Sequence, residues 1–94
     1  IAPPGASEHQ TGLALDVSCQ AVDYKLDERF GETREGRWLK RCAPLFGFIM
    51  RYPKGKEHIT GYGWEPWHIR YVTRSLALYL TLTGLTLEEY YEQK

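Results

Sequence analysis

A chain of 94 residues with 43% hydrophobic content and three tryptophans can bury one modest core, which excludes a disordered protein. Lys and Arg together number 12 against 12 Asp and Glu, so the basic excess needed for a sequence-independent grip on nucleic acid or anionic membrane is missing. No apolar run approaches the roughly 20 residues of a membrane-spanning helix; the longest, Leu76 to Leu82, is interrupted by Tyr79 and Thr81.

Ile1 to Gly5 is a Pro/Gly opening without regular structure. It has no initiator Met and no signal-type apolar stretch, so the chain is expected to begin mid-protein or at a trimmed start. Leu13 to Ser18 reads as a short buried strand with Asp16 as its one charged residue. Gln20 to Gly36 is polar and highly charged, and is expected to be irregular. In Arg37 to Phe46, Trp38, Leu39, Cys42, Leu45 and Phe46 stand near helical spacing, with Gly47 as the stop and Pro44 weakening the last turn. Phe48 to Tyr52 reads as a strand and Pro53 to Lys56 as a turn.

Gly61-Tyr62-Gly63-Trp64 suggests a close-packed turn into a further strand, Ile69 to Val72. Thr73 to Leu82 is an apolar helix, and Thr86 with Glu89 forms a capping-box pattern for a last short one. Strands and helices mix without βαβ alternation, so the class is α+β. Two cysteines, Cys19 and Cys42, are too few for a disulfide framework. A Cys19–Cys42 bridge is open to the chain in an oxidising compartment; the alternative is two buried thiols.

The candidate site residues stand in two clusters, His9 with Asp16 and Glu65 with His68. Catalytic zinc takes imidazole and carboxylate ligands, three from the protein, and leaves a position open. Gly12 lets the chain fold back between His9 and Asp16, so both can converge on one ion. An aspartate within Leu-Ala-Leu-Asp-Val is costly unless paired or ligated. Positions three apart in a strand point to opposite faces, so Glu65 and His68 share a cavity only if Pro66 bends the chain. His68 would then bind metal while Glu65 takes a proton from water. Taken singly, a histidine is more often structural, and a buried aspartate more often caps a turn or pairs with an arginine.

Together the clusters carry a resemblance. Ser7-Glu8-His9-Gln10-Thr11-Gly12-Leu13-Ala14-Leu15-Asp16 resembles the S-x-H-x-x-G-x-A-x-D signature of the VanY-like D,D-carboxypeptidases, zinc peptidases that trim peptidoglycan stem peptides. Glu65-Pro66-Trp67-His68 resembles their E-x-W-H signature, and the stretches 47–56 and 59–62 resemble the region that connects the two. The resemblance runs through nearly all of residues 3 to 72.

It implies a small, mostly antiparallel sheet flanked by helices, of the hedgehog and D,D-peptidase type and incomplete at its N-terminus. It implies zinc (Zn2+) as cofactor with His9, Asp16 and His68 as ligands, Glu65 as the base acting on water that zinc activates, and Ser7 at the substrate. Trp67 and Arg70 are read as structural, His58 as solvated, and Tyr62 and Trp64 as packing residues. The implied reaction is hydrolysis of the terminal D-Ala-D-Ala bond of a peptidoglycan stem peptide, outside the cytoplasmic membrane.

Family members carry roughly as much chain again before the first signature, including an arginine that stabilises the developing oxyanion. Residues 1–94 are therefore expected to be the metal-binding portion of one catalytic domain. Other readings are an L,D-carboxypeptidase or peptidoglycan endopeptidase of the same family, or a non-catalytic zinc-containing interaction module. Glu65 argues against the last, because a structural zinc site is normally closed by a fourth ligand.

Overall fold

The computed structural model describes residues 8–93. Among these, three short strands form one antiparallel sheet: β1 (Ala14–Asp16), β2 (Phe48–Met50) and β3 (His68–Tyr71), in the order β1-β3-β2. β3 is central. Ala14 pairs with Arg70 and Asp16 with His68 on one side, and Phe48 with Tyr71 and Met50 with Ile69 on the other. The helices are α1 (Arg34–Cys42), α2 (Glu57–Thr60), α3 (Arg74–Thr83) and α4 (Leu87–Glu92). The architecture is the α+β sheet with flanking helices that the sequence predicts.

Two apolar clusters hold it. Ile49 of β2 packs with Ala77 and Leu80 of α3 and Leu87 of α4, joined by Val72, Leu76, Leu85 and Tyr90. Ala77 and Leu80 lie three apart, which places them on one face of α3. A second cluster joins Cys19, Val22 and Phe30 to Val17, Leu39 and Trp67. Phe30, 1% exposed, contributes roughly 1.5–3 kcal/mol by its burial.

Helix α1 starts earlier than the apolar spacing predicts, because Thr33 caps it by accepting the N–H of Gly36 at 2.9 Å. It ends at Cys42, and a 3-10 turn, Ala43–Phe46, carries the chain to Gly47. Of the residues at helical spacing, Leu39 and Cys42 are partly buried, while Trp38, Leu45 and Phe46 are exposed. The charged 20–36 stretch is irregular as expected, with 3-10 turns at Gln20–Val22 and Glu28–Glu32. Helix α2, a single turn, is absent from the pattern read in the sequence. α4 carries the full capping box: Thr86 Oγ1 accepts the Glu89 N–H at 3.1 Å and Glu89 accepts the Thr86 N–H at 2.9 Å.

The first strand departs from expectation in its burial. Ala14 is buried, but Leu13 and Leu15 are 40% and 53% exposed. β1 is an edge strand, so Leu15 stays exposed although its partner Ile69 on the central strand is buried. Cys19 and Cys42 are both free thiols, the first buried and the second partly so.

Candidate metal centre and active site

Local backbone geometry assembles the site. A 3-10 turn over Glu8–Thr11 carries His9. The turn is closed by the Gly12 N–H on the His9 carbonyl at 3.1 Å and by the Thr11 hydroxyl on the Glu8 carbonyl at 2.6 Å. Gly12, at φ 76°, takes a left-handed conformation that a side chain would strain, and so reverses the chain into β1. His9 thereby folds back along the strand, its Nδ1 3.3 Å from the Ala14 carbonyl and its Nε2 3.1 Å from Asp16 Oδ1. A carbonyl only accepts, so Nδ1 carries the proton and Nε2 is left to face Asp16.

The second cluster arrives on β3. Pro66 and Trp67 form a tight turn, in which the His68 N–H donates to the Glu65 carbonyl at 3.1 Å. The turn cancels the strand alternation that would separate the two side chains, and Glu65 Oε1 lies 3.5 Å from His68 Nδ1. His68 is buried, and its Nδ1 is also 3.4 Å from Asp16 Oδ1, its partner across the sheet. The rings of His9 and His68 meet edge to face at 4.6 Å.

One ligand atom from each of His9, Asp16 and His68 lies within 4.8 Å of the others. Zinc bonded at about 2.0–2.2 Å in tetrahedral geometry sets neighbouring ligand atoms roughly 3.3–3.5 Å apart. The separations of 3.1 and 3.4 Å around Asp16 Oδ1 come close to that spacing, and two imidazoles with one carboxylate match its chemistry. The residues present fit the ion.

Glu65 is partly buried beside this cluster. Burial raises its carboxyl above the ordinary value and the charge of Asp16 adds to the rise, while His68 and His9 oppose it. Such a carboxyl is suited to exchanging a proton with a substrate. Asp16 itself sits at the rim of the sheet with its side chain 30% exposed, so it bears less desolvation cost than its apolar neighbours in sequence suggest.

The sequence reading missed Glu8. Its side chain is 11% exposed and uses both oxygens: Oε2 accepts from His68 Nε2 at 2.8 Å, and Oε1 accepts from Arg51 Nε at 2.8 Å and from an Arg70 nitrogen at 2.9 Å. Burial works against the charge, but the His68 and Arg51 hydrogen bonds outweigh it and hold Glu8 down at about 2. Glu8 occupies an unspecified position of the first signature. The one available clue is that Arg51 and Arg70, in or beside apolar strands, need a carboxylate.

Other predicted residues have plain positions. Trp67 packs on the second apolar cluster. Arg70 ties to Glu8, with its Nε left unpaired among the described residues. Tyr62 stacks on Tyr52 at 4.5 Å, and the buried Tyr52 packs against His68 at 4.9 Å. Burial and then the Glu8 charge push the Tyr52 phenol up to about 12, so it stays neutral. His58 is exposed, and Trp64 lies under the ammonium of Lys54 at 4.8 Å. Ser7 lies outside the described residues.

The fold and this cluster define an α+β domain with a two-histidine, one-carboxylate group that could hold a metal ion and a glutamate at its edge. The chain belongs to the VanY family of D-alanyl-D-alanine carboxypeptidases, whose family model matches residues 1–74. It is 52% identical over 93 residues to YodJ of Bacillus subtilis (strain 168), covering 99% of this chain and 34% of that protein. Among solved structures it is similar to the LdcB LD-carboxypeptidase, with 52% identity and a TM-score of 0.93 over 98% of this chain and 43% of that one. It is also similar to a mutant of the vancomycin resistance D,D-pentapeptidase VanY from a VanB-type resistance cassette, in complex with Zn(II). That match has 43% identity and a TM-score of 0.78 over 96% of this chain and 47% of that one. The chain spans between 27% and 50% of the length of the curated relatives it matches.

Proposed function

We propose that residues 1–94 are the metal-binding portion of a single catalytic domain, that of a zinc-dependent D,D-carboxypeptidase acting on the terminal D-Ala-D-Ala bond of peptidoglycan stem peptides. The observation that carries this reading is the convergence of His9, Asp16 and His68 within 4.8 Å, with Glu65 3.5 Å from His68. Family membership and the Zn(II) complex of a VanY relative support it. The part-length match to LdcB supports the reading of a portion of one domain.

His9 Nε2, Asp16 Oδ1 and His68 Nδ1 would hold the ion. A bound zinc supplies Lewis acidity toward a carbonyl and lowers the pKa of water toward about 7. Glu65 accepts a proton from the attacking water as its oxygen bonds to the scissile carbonyl carbon. As the C–N bond breaks, Glu65 passes that proton to the leaving amine, freeing D-alanine. The raised carboxyl of Glu65 suits both transfers. Tyr52, neutral up to about 12, shields the His68 ring and takes no proton. Stem peptides of this kind lie outside the cytoplasmic membrane, and on this reading the working protein acts there. Among the described residues no helix is long and apolar enough to cross a membrane.

A second reading is favoured by one observation, the TM-score of 0.93 to an LD-carboxypeptidase. Under it the substrate is the shorter stem, and the same residues perform the same transfers. The deciding experiment measures zinc content and D-alanine release from a stem pentapeptide and a stem tetrapeptide. Release from the pentapeptide supports the D,D reading, and release from the tetrapeptide alone replaces it with the L,D one. Zinc retained without release by residues 1–94 alone is what a metal-binding portion gives; zinc retained without release from either peptide by the complete catalytic domain supports a non-catalytic module and contradicts both.

A further inference from the structure

Beyond the ligands, the cluster around His68 contains a chain of charged contacts that the proposed reaction does not use. Arg51 Nη1 donates to Glu88 Oε1 at 2.7 Å, and Arg51 Nε donates to Glu8 Oε1 at 2.8 Å. Arg70 adds a donor to the same Glu8 oxygen at 2.9 Å. Glu8 Oε2 is then committed to His68 Nε2 at 2.8 Å. Glu88 lies on α4, beyond the 1–74 segment matched by the family model. α4 is fastened a second time by Lys56 Nζ on Glu89 at 3.0 Å.

The chemistry of this chain has a direction. An ionised carboxylate only accepts hydrogen bonds. The nitrogen that meets Glu8 must therefore carry the proton, and in a neutral imidazole the other nitrogen is then a bare lone pair. That other nitrogen is His68 Nδ1, the atom that faces Asp16 and Glu65. The two arginines fix Glu8 from the opposite side, because guanidinium donors have a rigid fork geometry. A carboxylate behind a ligating histidine orients the ring and raises its basicity.

We propose that Glu8 is a positioning residue for the metal centre: held by Arg51 and Arg70, and through Arg51 by Glu88 of α4, it locks His68 in the tautomer that presents Nδ1 to the ion. This rests on the zinc reading above. On this view α4 is more than a cap on the apolar core, because it steadies a ligand it does not touch.

The test is the zinc dissociation constant, by competition with a chromophoric chelator, for the parent, Glu8→Ala and Glu88→Ala. Thermal melting of the metal-free proteins checks that each folds, and ring-nitrogen NMR of His68 reports its tautomer, which a purely structural salt bridge would not set. We expect Glu8→Ala to bind zinc roughly 10–100-fold more weakly and its metal-free His68 to lose the pure Nε2–H signature. Glu88→Ala should weaken binding in the same direction by a smaller factor. Glu8→Ala binding as tightly as the parent overturns the proposal. If Glu8→Ala does not fold, the zinc-loaded parent decides: a protonated His68 Nε2 with a metal-shifted Nδ1 supports it, and ligation through Nε2 overturns it. A parent that holds no zinc overturns the proposed function and this inference with it, whereas a zinc-binding parent beside an equally tight Glu8→Ala overturns the inference alone.

Discussion

Asp16 and His68 are a register pair of β1 and β3, and that pairing sets Asp16 Oδ1 3.4 Å from His68 Nδ1. Side chains on paired strands alternate with a period of two, so a slip of one residue would send one member to the opposite face. The sheet, though only three strands among the described residues, is therefore the device that brings the two halves of the site together. Gly12 adds His9 to the pair by turning the chain back, and the Pro66-Trp67 turn adds Glu65.

Removal of a member of the pair should remove the metal. His68→Ala leaves His9 and Asp16, two ligands where catalytic zinc uses three. Elemental analysis of the purified variant should find little zinc, and a stoichiometry unchanged from the parent would take His68 out of the ligand set.

The flanks of Glu65 rest on a glycine. A Cβ at Gly31 would lie 2.4 Å from Trp64 Cζ2 and 3.0 Å from Pro66 Cβ, and these residues stand on either side of Glu65. Gly31→Ala should force both neighbours outward, costing roughly 1–3 kcal/mol as overpacking does. We expect a lower kcat with zinc retained, because none of the three proposed ligands is among the atoms the new Cβ meets. A variant with parental melting temperature and parental kcat would show that the contact relaxes without consequence.

Phe30 should matter for the whole fold. It is 1% exposed at the centre of the second apolar cluster, and truncation of such an aromatic costs about 3–5 kcal/mol. Urea unfolding of Phe30→Ala should show that loss. A change below about 1 kcal/mol would mean that the cluster collapses onto the gap.

Acid should loosen α4 early. Glu89 is held below its ordinary 4.5, first by the Thr86 backbone N–H and then by Lys56. In the unfolded chain it titrates at the ordinary value. Its contribution is thus complete above 4.5 and is lost as pH falls through the lower folded value. Amide protection in α4 should therefore drop more than in α3 between about pH 6 and about pH 3, and Glu89→Gln should flatten the difference. Equal pH slopes in the two helices would contradict this.

The sequence carried the fold class and the grouping of the candidate residues because both are written in local patterns. The Thr86 and Glu89 capping box, the stop at Gly47 and the apolar run of α3 each follow from neighbours in sequence. The bend at Pro66 that unites Glu65 with His68 was legible in the same way. What escaped depends on tertiary contact. Phe30 stands alone among charges, so no periodicity marks it as core. Leu15 looks like a core residue in a strand, yet the edge position of β1 leaves it exposed. Glu8 meets His68, Arg51 and Arg70 across 60, 43 and 62 residues of chain, distances at which a sequence pattern says nothing about pairing.

The most direct test of the central claim is D-alanine release by the complete catalytic domain, zinc-loaded, as parent and as Glu65→Gln, with zinc content measured in the same samples. Glu65→Gln keeps the shape of the side chain and all three proposed ligands but removes the group that moves the proton. The account predicts a full complement of zinc and release slowed by about 10²–10⁴-fold. Release at a rate close to the parent's, with zinc in place, would contradict it and remove Glu65 from the chemistry.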